Sequence, residues 1–528
     1  MAFNIVNDIF MVKIIKNNII LVVLMLLAIF LRTYKLDYLE LFGDEIDAGY
    51  QSYSLMISGK DYFGHVLPLY MQSFSEWRAP GLMYAMVPFI KIFGLNEWGV
   101  RLAPAFFGVL SILGFYYLLS SLGIAKNVRL VTVLLLAITP WHIQYSRTAF
   151  ELTMMSCGII WGSYFLIRKK IILAGVLYCI SLYTYNTANI LVPLIALFTL
   201  FYFKASKKQV LTLAVTGLLL VLPLAFQMFF GHAGDRFGTV SIFSNKDIVA
   251  KVNDYQNAGG NSLMSRILYN KVTVGGKQIA YNYANAFGAN FLFRDGDVTF
   301  RHSLHQVGNL FWIELFLIIF GVLVSKNMWL LGLLLIAPIP SSLTIDGFNH
   351  ASRLFLMVFP LSYFASVGLC KTKSWLRLIV VLVLVFEFVN FQYYFWNFYR
   401  NESWRWWHIG YKESMMYIYD NKDKYQKIVM DNTYEPSLIR FLFWNKIDSK
   451  KVYGLNDGLD YFCIEDKYCF SRSFKVNEMQ DNTLYFISHE KSVGGDWDWS
   501  RNPPSNVTVV KTVYNYLAQP IFYLVKKR

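Results

Sequence analysis

About eleven apolar runs dominate this sequence, and their length restricts the chain to one broad class of fold. Each run approaches the ~20 residues that an α-helix needs to cross a bilayer. Only 16% of the 528 residues are charged, whereas about a quarter are charged in a typical soluble domain. The sequence therefore predicts a polytopic α-helical membrane protein with about eleven transmembrane helices. The runs lie at roughly 14–33, 97–120, 130–146, 152–167, 171–186, 188–203, 210–230, 307–325, 328–345, 354–370 and 376–396.

The basic residues predict how these helices are oriented. The net charge is +15, and many of the Lys and Arg residues flank apolar runs in short clusters. No helix-turn-helix, zinc-finger or RNP-like pattern occurs, so nucleic acid is not a predicted partner. With a cytoplasmic N-terminus every short inner loop is basic, as the positive-inside rule requires. These loops contain Lys126 and Arg129, Arg168 to Lys170, Lys204 with Lys207 and Lys208, Lys326, and Lys371 with Lys373 and Arg377.

This topology predicts a multi-pass protein of the cell membrane with three segments outside it: residues 34–96, residues 231–306 and everything after about residue 397. The first of them contains the short apolar stretch from Ala79 to Gly94, which is interrupted by Pro and Gly. Making this stretch a span would invert all the basic loops, so we expect a helix at the membrane interface. The predicted domains are a membrane domain, 1–396, and an extracytoplasmic domain, 397–528.

The last 130 or so residues have a different hydrophobic pattern from the rest of the chain. Apolar runs shorten to strand length in "KIVMD", "NTLYFIS", "VTVVKTVYN" and "PIFYLVKK", and a helical stretch, "EPSLIRFLFWNKI", lies between the first two. This pattern predicts a small C-terminal α/β domain outside the membrane. Cys463 and Cys469 lie in this polar region, and the sequence leaves open whether they form a disulfide.

Three acids are concentrated just after the first apolar run, in "FGDEIDAGYQSYSLMISG". Residues spaced three and four apart share one face of a helix, and here one face is polar and another apolar. The stretch therefore predicts an amphipathic helix at the membrane surface, ended by Gly59. Asp44 could be its N-cap, a role that is compatible with catalysis. The polar face contains Asp44, Asp47, Gln51, Ser54 and Ser58, and the apolar face Ile46, Tyr50, Tyr53 and Ile57.

Further ionisable side chains occur where predicted spans meet the outer side. Each alone could be an interfacial anchor or part of a loop salt bridge, but such groups beside lipid usually face the bundle interior and mark function. Together they favour chemistry on a lipid phosphate, with cations holding the phosphate and a carboxylate removing a proton. They are Arg78, Arg101, His142, Arg147, Glu151, Arg301, His302, His305, Asp346, His350 and Arg353.

Several of these motifs carry a family resemblance. The Asp44-Glu45 pair, "PGLMY" and "FGLNEWGVRLAPAFFGVL" resemble GT-C glycosyltransferases of the dolichyl-phosphate-mannose-protein mannosyltransferase and aminoarabinose transferase-like superfamily, in its prokaryotic branch. "TPWHIQYSRTAFEL", "SLYTYNTANILVPL" and "NHASRLFLMVFPL" are similar to later blocks, so the resemblance covers about residues 14–370. The family's common Pro-Pro is Ala79-Pro80 here, preceded by Arg78, which argues against a close substrate match to the aminoarabinose branch.

The resemblance implies a GT-C fold and an inverting transfer of a sugar from a polyprenyl-phosphate donor to an acceptor hydroxyl. By the same carry-over Asp44 is the base and Glu45 its partner, while Glu151 is a second acid. Donor binding falls on Arg353 with His350 or Arg147, and residues 231–306 would close over the donor. Arg78, Arg101 and His305 are further donor-binding candidates. The acceptor is a protein, a glycan or a lipid.

Two other functions compete with this interpretation. "WRWWHIGYKE" resembles the Trp-Trp-Asp-Tyr-Gly motif of oligosaccharyltransferases, but His408 replaces the Asp and Ile409 the Tyr, so we predict an aromatic interfacial belt there. A lipid-linked oligosaccharide flippase, or another transporter, would favour internal repeats and polar groups near the midplane, and neither is visible in the sequence. A divalent metal is compatible with the carboxylates and His residues, yet no ligand spacing requires one, so no metal site is predicted.

Overall fold

A computed structural model describes residues 2–73, 77–231, 241–244, 246–453, 455, 459–495 and 497–528, without the side chains of residues 2–17 and 229. The chain forms two compact units. The first consists of Met1–Tyr34 and Pro104–Tyr394, and the second of Lys35–Ala103 and Phe395–Arg528. The first outer segment is therefore grouped with the C-terminal residues, whereas the domain boundary expected from the sequence, at residue 396, separates them.

The first unit is helical. Most of its helices are apolar and follow the predicted runs in order. The helices of this unit are Ala2–Thr33, Lys126–Ile138, Pro140–Ser146, Leu152–Ile167, Ile171–Leu182, Ala188–Tyr202, Lys207–Phe230, Lys246–Ala258, Leu263–Leu268, Lys271–Asn285, Trp312–Val324, Met328–Ile336, Ile339–Ser342, Ala351–Leu354, Val358–Lys371 and Ser374–Tyr394, and Glu97–Ser121 enters it from the second unit.

Four helices within the described residues are long and apolar enough to cross a membrane, and a bent pair would make a fifth. Seven further apolar helices are 10–17 residues long. The chain is thus a multi-pass α-helical protein, and the count of about eleven spans stays a prediction. The four are Glu97–Ser121, Lys207–Met228, Ala351–Lys371 and Ser374–Glu402.

At the bend between the two helices of this pair, a buried side chain supplies hydrogen bonds to backbone carbonyls. Lys126–Ile138 and Pro140–Ser146 meet at 60°, because Pro140 has no N–H to continue the helical ladder. The carbonyls of Leu136 and Ala137 each accept a hydrogen bond from buried Arg32, at 3.0 Å. Away from water, an unsatisfied carbonyl would cost several kcal/mol. Arg32 therefore stabilises the break.

Residues 231–306, the segment expected to close over a donor, contain Lys246–Ala258, Leu263–Leu268 and Lys271–Asn285. Asn282 attaches the last of these helices by donating to the carbonyls of Ser342 and Thr344, at 3.3 and 2.8 Å. Residues 232–240 and 245 of the segment lie outside the described residues. The closing movement stays a prediction.

The strands of the second unit begin with a hairpin of two short strands, β1 Met71–Gln72 and β2 Trp77–Arg78, and continue with β3 Lys427–Asp431, β4 Tyr461–Ile464, β5 Tyr468–Ser471, β6 Thr483–Ser488, β7 Val507–Tyr514 and β8 Pro520–Lys527. Among the described residues, β3 to β8 form a six-stranded mixed sheet in the order β4-β5-β3-β6-β8-β7. β3 lies in its middle, parallel to both neighbours, and the other pairs are antiparallel. The four predicted strands and the helix after the first are confirmed, and Cys463 and Cys469 form a disulfide between β4 and β5.

Three helices besides the start of Glu97–Ser121 complete the main part of this unit: Gly43–Ser58, called the acidic helix below, Tyr411–Asp420 and Ser437–Trp444. A fourth, Gly81–Phe93, lies within the stretch predicted to be an interfacial helix. The acidic helix packs directly on the helix Ser437–Trp444. This close approach requires glycine at position 49, because a Cβ there would lie only 2.7 Å from the ring of Phe443. The first outer segment is thereby built onto the C-terminal residues.

The prediction of the acidic helix was right in extent and wrong in environment. It ends at Gly59, which has a φ of 67°, as expected. Its N-cap is Phe42 rather than Asp44. Its polar face is largely buried as well as its apolar one, because Gln51 donates to the carbonyl of Gln72 at 2.6 Å and Ser54 to that of Lys60 at 2.8 Å. It is therefore a packed helix and not a surface amphipathic one.

Candidate active site

Asp44 stands out from its surroundings because its carboxylate is accessible. Its side chain is 53% exposed, whereas the neighbouring Glu45 is fully buried. Arg78, on β2, donates to Oδ1 of Asp44 at 2.7 Å and is itself only 9% exposed. The hairpin thus fixes a guanidinium that orients an exposed carboxylate at the start of the acidic helix. The structure brings together two residues that the sequence had placed 34 positions apart.

Asp47, which the sequence places on the polar face of a helix at the membrane surface, is buried in the structure. Its side chain is only 5% exposed, and the hydroxyl of Tyr62 donates to its Oδ1 at 2.5 Å. Burial raises the pKa of Asp47 to about 6, although nearby Arg78 acts in the opposite direction. The sequence signal for its proximity to Asp44 was the spacing of three, which puts both acids on one helical face.

Replacing Asp47 with Asn is expected to change how stability depends on pH. The folded pKa of about 6 lies above the unfolded value of about 3.9, so folding of the wild type weakens as pH rises through this interval. Because Asn does not ionise, Asp47→Asn should gain stability relative to wild type by on the order of 2–3 kcal/mol between about pH 4 and pH 7. Thermal unfolding at both pH values measures the gain. An unchanged difference between the two proteins would contradict the raised pKa.

Glu45 and Arg101 form a buried bidentate ion pair. Nε of Arg101 donates to Oε1 of Glu45 at 2.8 Å and Nη2 to Oε2 at 2.6 Å. The same guanidinium donates to the carbonyls of Leu36, Leu39 and Glu40 at 2.7–2.9 Å. Fixed fork geometry of this kind is what makes Arg suited to carboxylates. The pair therefore joins the acidic helix, the preceding loop and the helix Glu97–Ser121.

A second polar group lies at the N-terminus of the acidic helix. Nη2 of buried Arg440 lies 2.7 Å from Nδ1 of His408, which also lies 3.3 Å from the backbone N of Gly43. Burial alone would raise the pKa of Glu435, but its contacts with His408 and Arg440 lower it to about 2. Trp407 and His408 are 1% and 8% exposed. The expectation of an aromatic interfacial belt is therefore wrong for these two residues, which pack inside the second unit.

In the first unit, His350 and Arg353 lie shortly before the helix Val358–Lys371. Nη1 of Arg353 donates to the Thr344 hydroxyl at 2.7 Å and pairs with Asp346, which is 58% exposed. His350 lies 3.9 Å from a carboxylate oxygen of Asp346 and 3.9 Å from one of Asp297. Burial and then the charge of Arg353 lower the pKa of His350 to about 4, a shift that favours the uncharged imidazole.

A row of aromatic and hydroxyl groups continues from His350 and Arg353. Nδ1 of His302 lies 2.9 Å from the hydroxyl of Tyr145 and 3.4 Å from that of Ser352. The His302 ring packs against Phe150 with centroids 4.7 Å apart and lies 5.7 Å from the ring of His350. Both imidazoles and Arg353 thus lie together in one group, which the scattered sequence motifs had suggested only as neighbours on one side.

The other candidates of the first unit occupy different positions. Buried Arg147 donates to the carbonyls of Leu31 and Tyr34, at 3.1 and 2.8 Å. It therefore provides hydrogen bonds at the C-terminal end of the first helix. Glu151 lies half-buried in the turn before Leu152–Ile167. His305 stacks on Phe300 with ring centroids 4.1 Å apart. Among the described residues, no group of three or more His, Cys, Asp or Glu side chains is arranged to hold a metal ion.

The overall fold has solved counterparts. ArnT from Cupriavidus metallidurans, a GT-C protein solved with bound undecaprenyl phosphate, matches with a TM-score of 0.51 and 11% identity, over 96% of this chain and 97% of that one. This chain has a GT-C fold. An oligosaccharyltransferase from Archaeoglobus fulgidus also matches, with a TM-score of 0.46 and 14% identity over 80% of this chain and 61% of its own.

The sequence of this chain has no matching relative. No family model matches it, and no curated protein matches it either. The expected fold family is therefore supported by structure, at an identity too low to transfer any residue's role. The roles of the site residues have to be argued from their own contacts.

Proposed function

We propose that this protein is an inverting glycosyltransferase that moves a sugar from a polyprenyl-phosphate donor to an acceptor hydroxyl on the outer face of the membrane. The observation that carries the proposal is the accessible carboxylate of Asp44, held by Arg78 at the start of a helix whose other acidic side chains, Glu45 and Asp47, are buried. The donor class is supported by the ArnT structure, which contains undecaprenyl phosphate.

The chemistry assigned to Asp44 is general-base catalysis. Its carboxylate accepts the proton of the acceptor hydroxyl while that oxygen attacks the anomeric carbon of the sugar. The bond between the anomeric carbon and the phosphate oxygen breaks, and polyprenyl phosphate leaves with the bonding electrons. A single displacement of this kind inverts the anomeric centre. Arg78 positions the carboxylate, and a general base typically contributes about 10²–10⁴-fold to the rate.

Glu45 and Arg101 serve this base as positioning residues. Both side chains are almost fully buried, and two hydrogen bonds join them. The three backbone carbonyls on Arg101 belong to the loop that leads into the acidic helix. Holding that loop fixes the start of the helix, and with it Asp44. We therefore assign no substrate contact to this pair, although the resemblance implied that Glu45 partners the base directly.

Arg353 is the proposed phosphate ligand, with His350 as an uncharged hydrogen-bond donor beside it. A guanidinium suits this task because its fork of N–H groups matches the oxygens of a phosphate. Asp346, which pairs with Arg353, is more than half exposed, so an incoming phosphate could displace it.

The remaining roles rest on the family resemblance and on position in the sequence. They are Glu151 as second acid, His305 as donor contact, and residues 231–306 as a closing segment. Arg147 is assigned to the end of the first helix instead.

Replacing Arg353 with Gln is expected to weaken donor binding more than turnover. Gln keeps a hydrogen-bond donor but removes the positive charge, so the Kd for polyprenyl phosphate should rise at least tenfold, whereas kcat at saturating donor should fall much less. Arg168→Gln is the matched control, because Arg168 is exposed and lies in the same unit but outside residues 231–306. Equal affinities of the Arg353→Gln and wild-type proteins would remove Arg353 from the donor site.

The proposed reaction can be tested with purified protein and a panel of radiolabelled polyprenyl-phosphate sugars. A glycosyltransferase releases free polyprenyl phosphate only when an acceptor hydroxyl is present. Extraction of the labelled product then distinguishes a lipid acceptor from a protein or a glycan. We further propose a cytoplasmic N-terminus and an extracytoplasmic C-terminal domain, which cysteine accessibility labelling from either side of the membrane would check.

A further inference from the structure

The second unit contains a cavity of about 400 Å³ that no step of the proposed transfer uses. Its volume falls within the range of about 300–1,000 Å³ typical of small-molecule sites. The walls come from four places: the segment around Trp404, Tyr434 after β3, the chain that follows β6, and the start of β8. All four belong to one compact unit, so the cavity can be considered by itself.

Tryptophan side chains give this cavity apolar walls that water can reach. Trp497 is 66% exposed, and Trp404 and Tyr434 line other parts of the surface. Large aromatic side chains are normally well buried, because each removes 150–250 Å² of surface from water. An indole left open beside a polar cavity suits a ligand that has an apolar face and a polar edge. A pyranose ring has this character, since its C–H groups form flat patches and its hydroxyls point outward.

The polar groups of the cavity favour an uncharged ligand. Glu490 lies 3.6 Å from Arg405, and Asp498 lies 3.5 Å from Arg501, which is 84% exposed. The charges on this surface are therefore largely balanced. A phosphate or carboxylate ligand would gain little here, because the two carboxylates offset the attraction of Arg405. Hydroxyl groups, in contrast, can donate to Glu490 and Asp498 and accept from Arg405.

These groups are held in place by the fold beneath them. The hydroxyl of Tyr523, a buried residue of β8, donates to Asp498 at 3.2 Å and lies 3.4 Å from Nδ1 of His489. Nε2 of His489 lies 3.2 Å from the carbonyl of Gly495. Gly495 and Asp498, which lie before and after Trp497 in the sequence, are thus hydrogen-bonded to His489 and to Tyr523 of the sheet. Such preorganisation reduces the conformational entropy lost on binding.

We propose that this cavity is a binding site for an uncharged oligosaccharide, with one sugar ring stacked on Trp497 and its hydroxyls bonded to Glu490 and Asp498. The proposal adds a carbohydrate site to the second unit, and His408, which lines it, also lies 3.3 Å from the backbone N of Gly43 at the start of the acidic helix. It does not depend on the proposed sugar transfer, because binding is measured without a donor.

The test uses the full-length protein in lipid nanodiscs. The probes are uncharged di- to tetrasaccharides of glucose, galactose, mannose and N-acetylglucosamine, together with their phosphorylated counterparts, and binding is measured by calorimetry and by saturation-transfer NMR. We expect at least one uncharged probe to bind, Trp497→Ala to weaken it at least tenfold, and Trp497→Phe to retain much of the affinity because Phe preserves an apolar face. Tyr514→Ala is the matched control, since Tyr514 is a 44% exposed aromatic residue of the same unit outside the cavity.

Three results would overturn the proposal. One is that no uncharged probe binds at millimolar concentration. Another is that a probe binds with equal affinity to wild type and to Trp497→Ala. The third is a preference for the phosphorylated probes, which the two carboxylates oppose. Unfolding temperatures of the variants are measured in parallel, and because Trp497 is mostly exposed, we expect them to match the wild type.

Discussion

Replacing Asp44 with Asn is expected to lower kcat by about 10²–10⁴-fold while leaving the affinity for polyprenyl phosphate within a factor of about three. The amide is close in shape to the carboxylate and can still accept a hydrogen bond from Arg78, which now lies 2.7 Å away. It cannot accept the proton of an acceptor hydroxyl. The measurement is single-turnover transfer at saturating donor, together with direct binding of the lipid phosphate.

Asp37→Asn is the matched control for this experiment. Asp37 is an exposed carboxylate of the same unit, seven positions earlier in the sequence, and the Asn variant should keep the wild-type rate. If Asp44→Asn also kept that rate, Asp44 would not be the base. If both variants lost activity to the same degree, surface charge rather than proton transfer would explain the loss.

Replacing Arg101 with Met is expected to have the largest effect on stability. It removes the guanidinium that pairs with the fully buried carboxylate of Glu45, and breaking a buried ion pair typically costs about 3–5 kcal/mol. It also removes the donor that reaches the carbonyls of Leu36, Leu39 and Glu40. Thermal unfolding of the purified protein, followed by tryptophan fluorescence, measures the loss.

A second variant separates charge from packing at this pair. The double variant Glu45→Leu/Arg101→Met should recover part of the stability, because both charges of the pair are removed together. It should not recover all of it, because the three backbone carbonyls still lack the hydrogen bonds that Arg101 donates. The control is Lys451→Met, which breaks a pair with Glu465 whose side chains are about half exposed and should change stability by about 0–1 kcal/mol. Equal unfolding temperatures for Arg101→Met and Lys451→Met would contradict the assigned positioning role.

Local pattern predicted the elements of this fold better than their surroundings. The acidic helix and its end at Gly59 follow from spacing and from the conformational freedom of glycine, which are local properties. The same pattern indicated a membrane-surface helix, yet Gly49 packs on Phe443, almost four hundred positions later. Such a contact depends on tertiary structure and leaves no periodic signal. The C-terminal strands were likewise recognised one by one, but nothing local indicated that β3 lies between β5 and β6.

For the candidate site, too, the sequence indicated the residues but not their contacts. Asp44, Glu45, Arg78 and Arg101 were all singled out as outer ionisable groups, but their pairing was not, because partners 34 and 56 positions apart meet only through the hairpin and the helix packing. Asp47 was assigned to the surface because its neighbours on the helical face are polar. Its burial depends on Tyr62, which belongs to a following loop.

The central claim is that this chain breaks the bond between a sugar and polyprenyl phosphate. The measurement is made in proteoliposomes that contain the purified wild-type protein or Asp44→Asn, loaded with a donor labelled separately in the sugar and in the lipid phosphate. We predict that wild-type protein with an acceptor releases unglycosylated polyprenyl phosphate and transfers the sugar label, and that Asp44→Asn does neither at a comparable rate. Movement of the intact lipid-linked sugar across the bilayer, with both labels still joined in either protein, would contradict the account and identify a transporter.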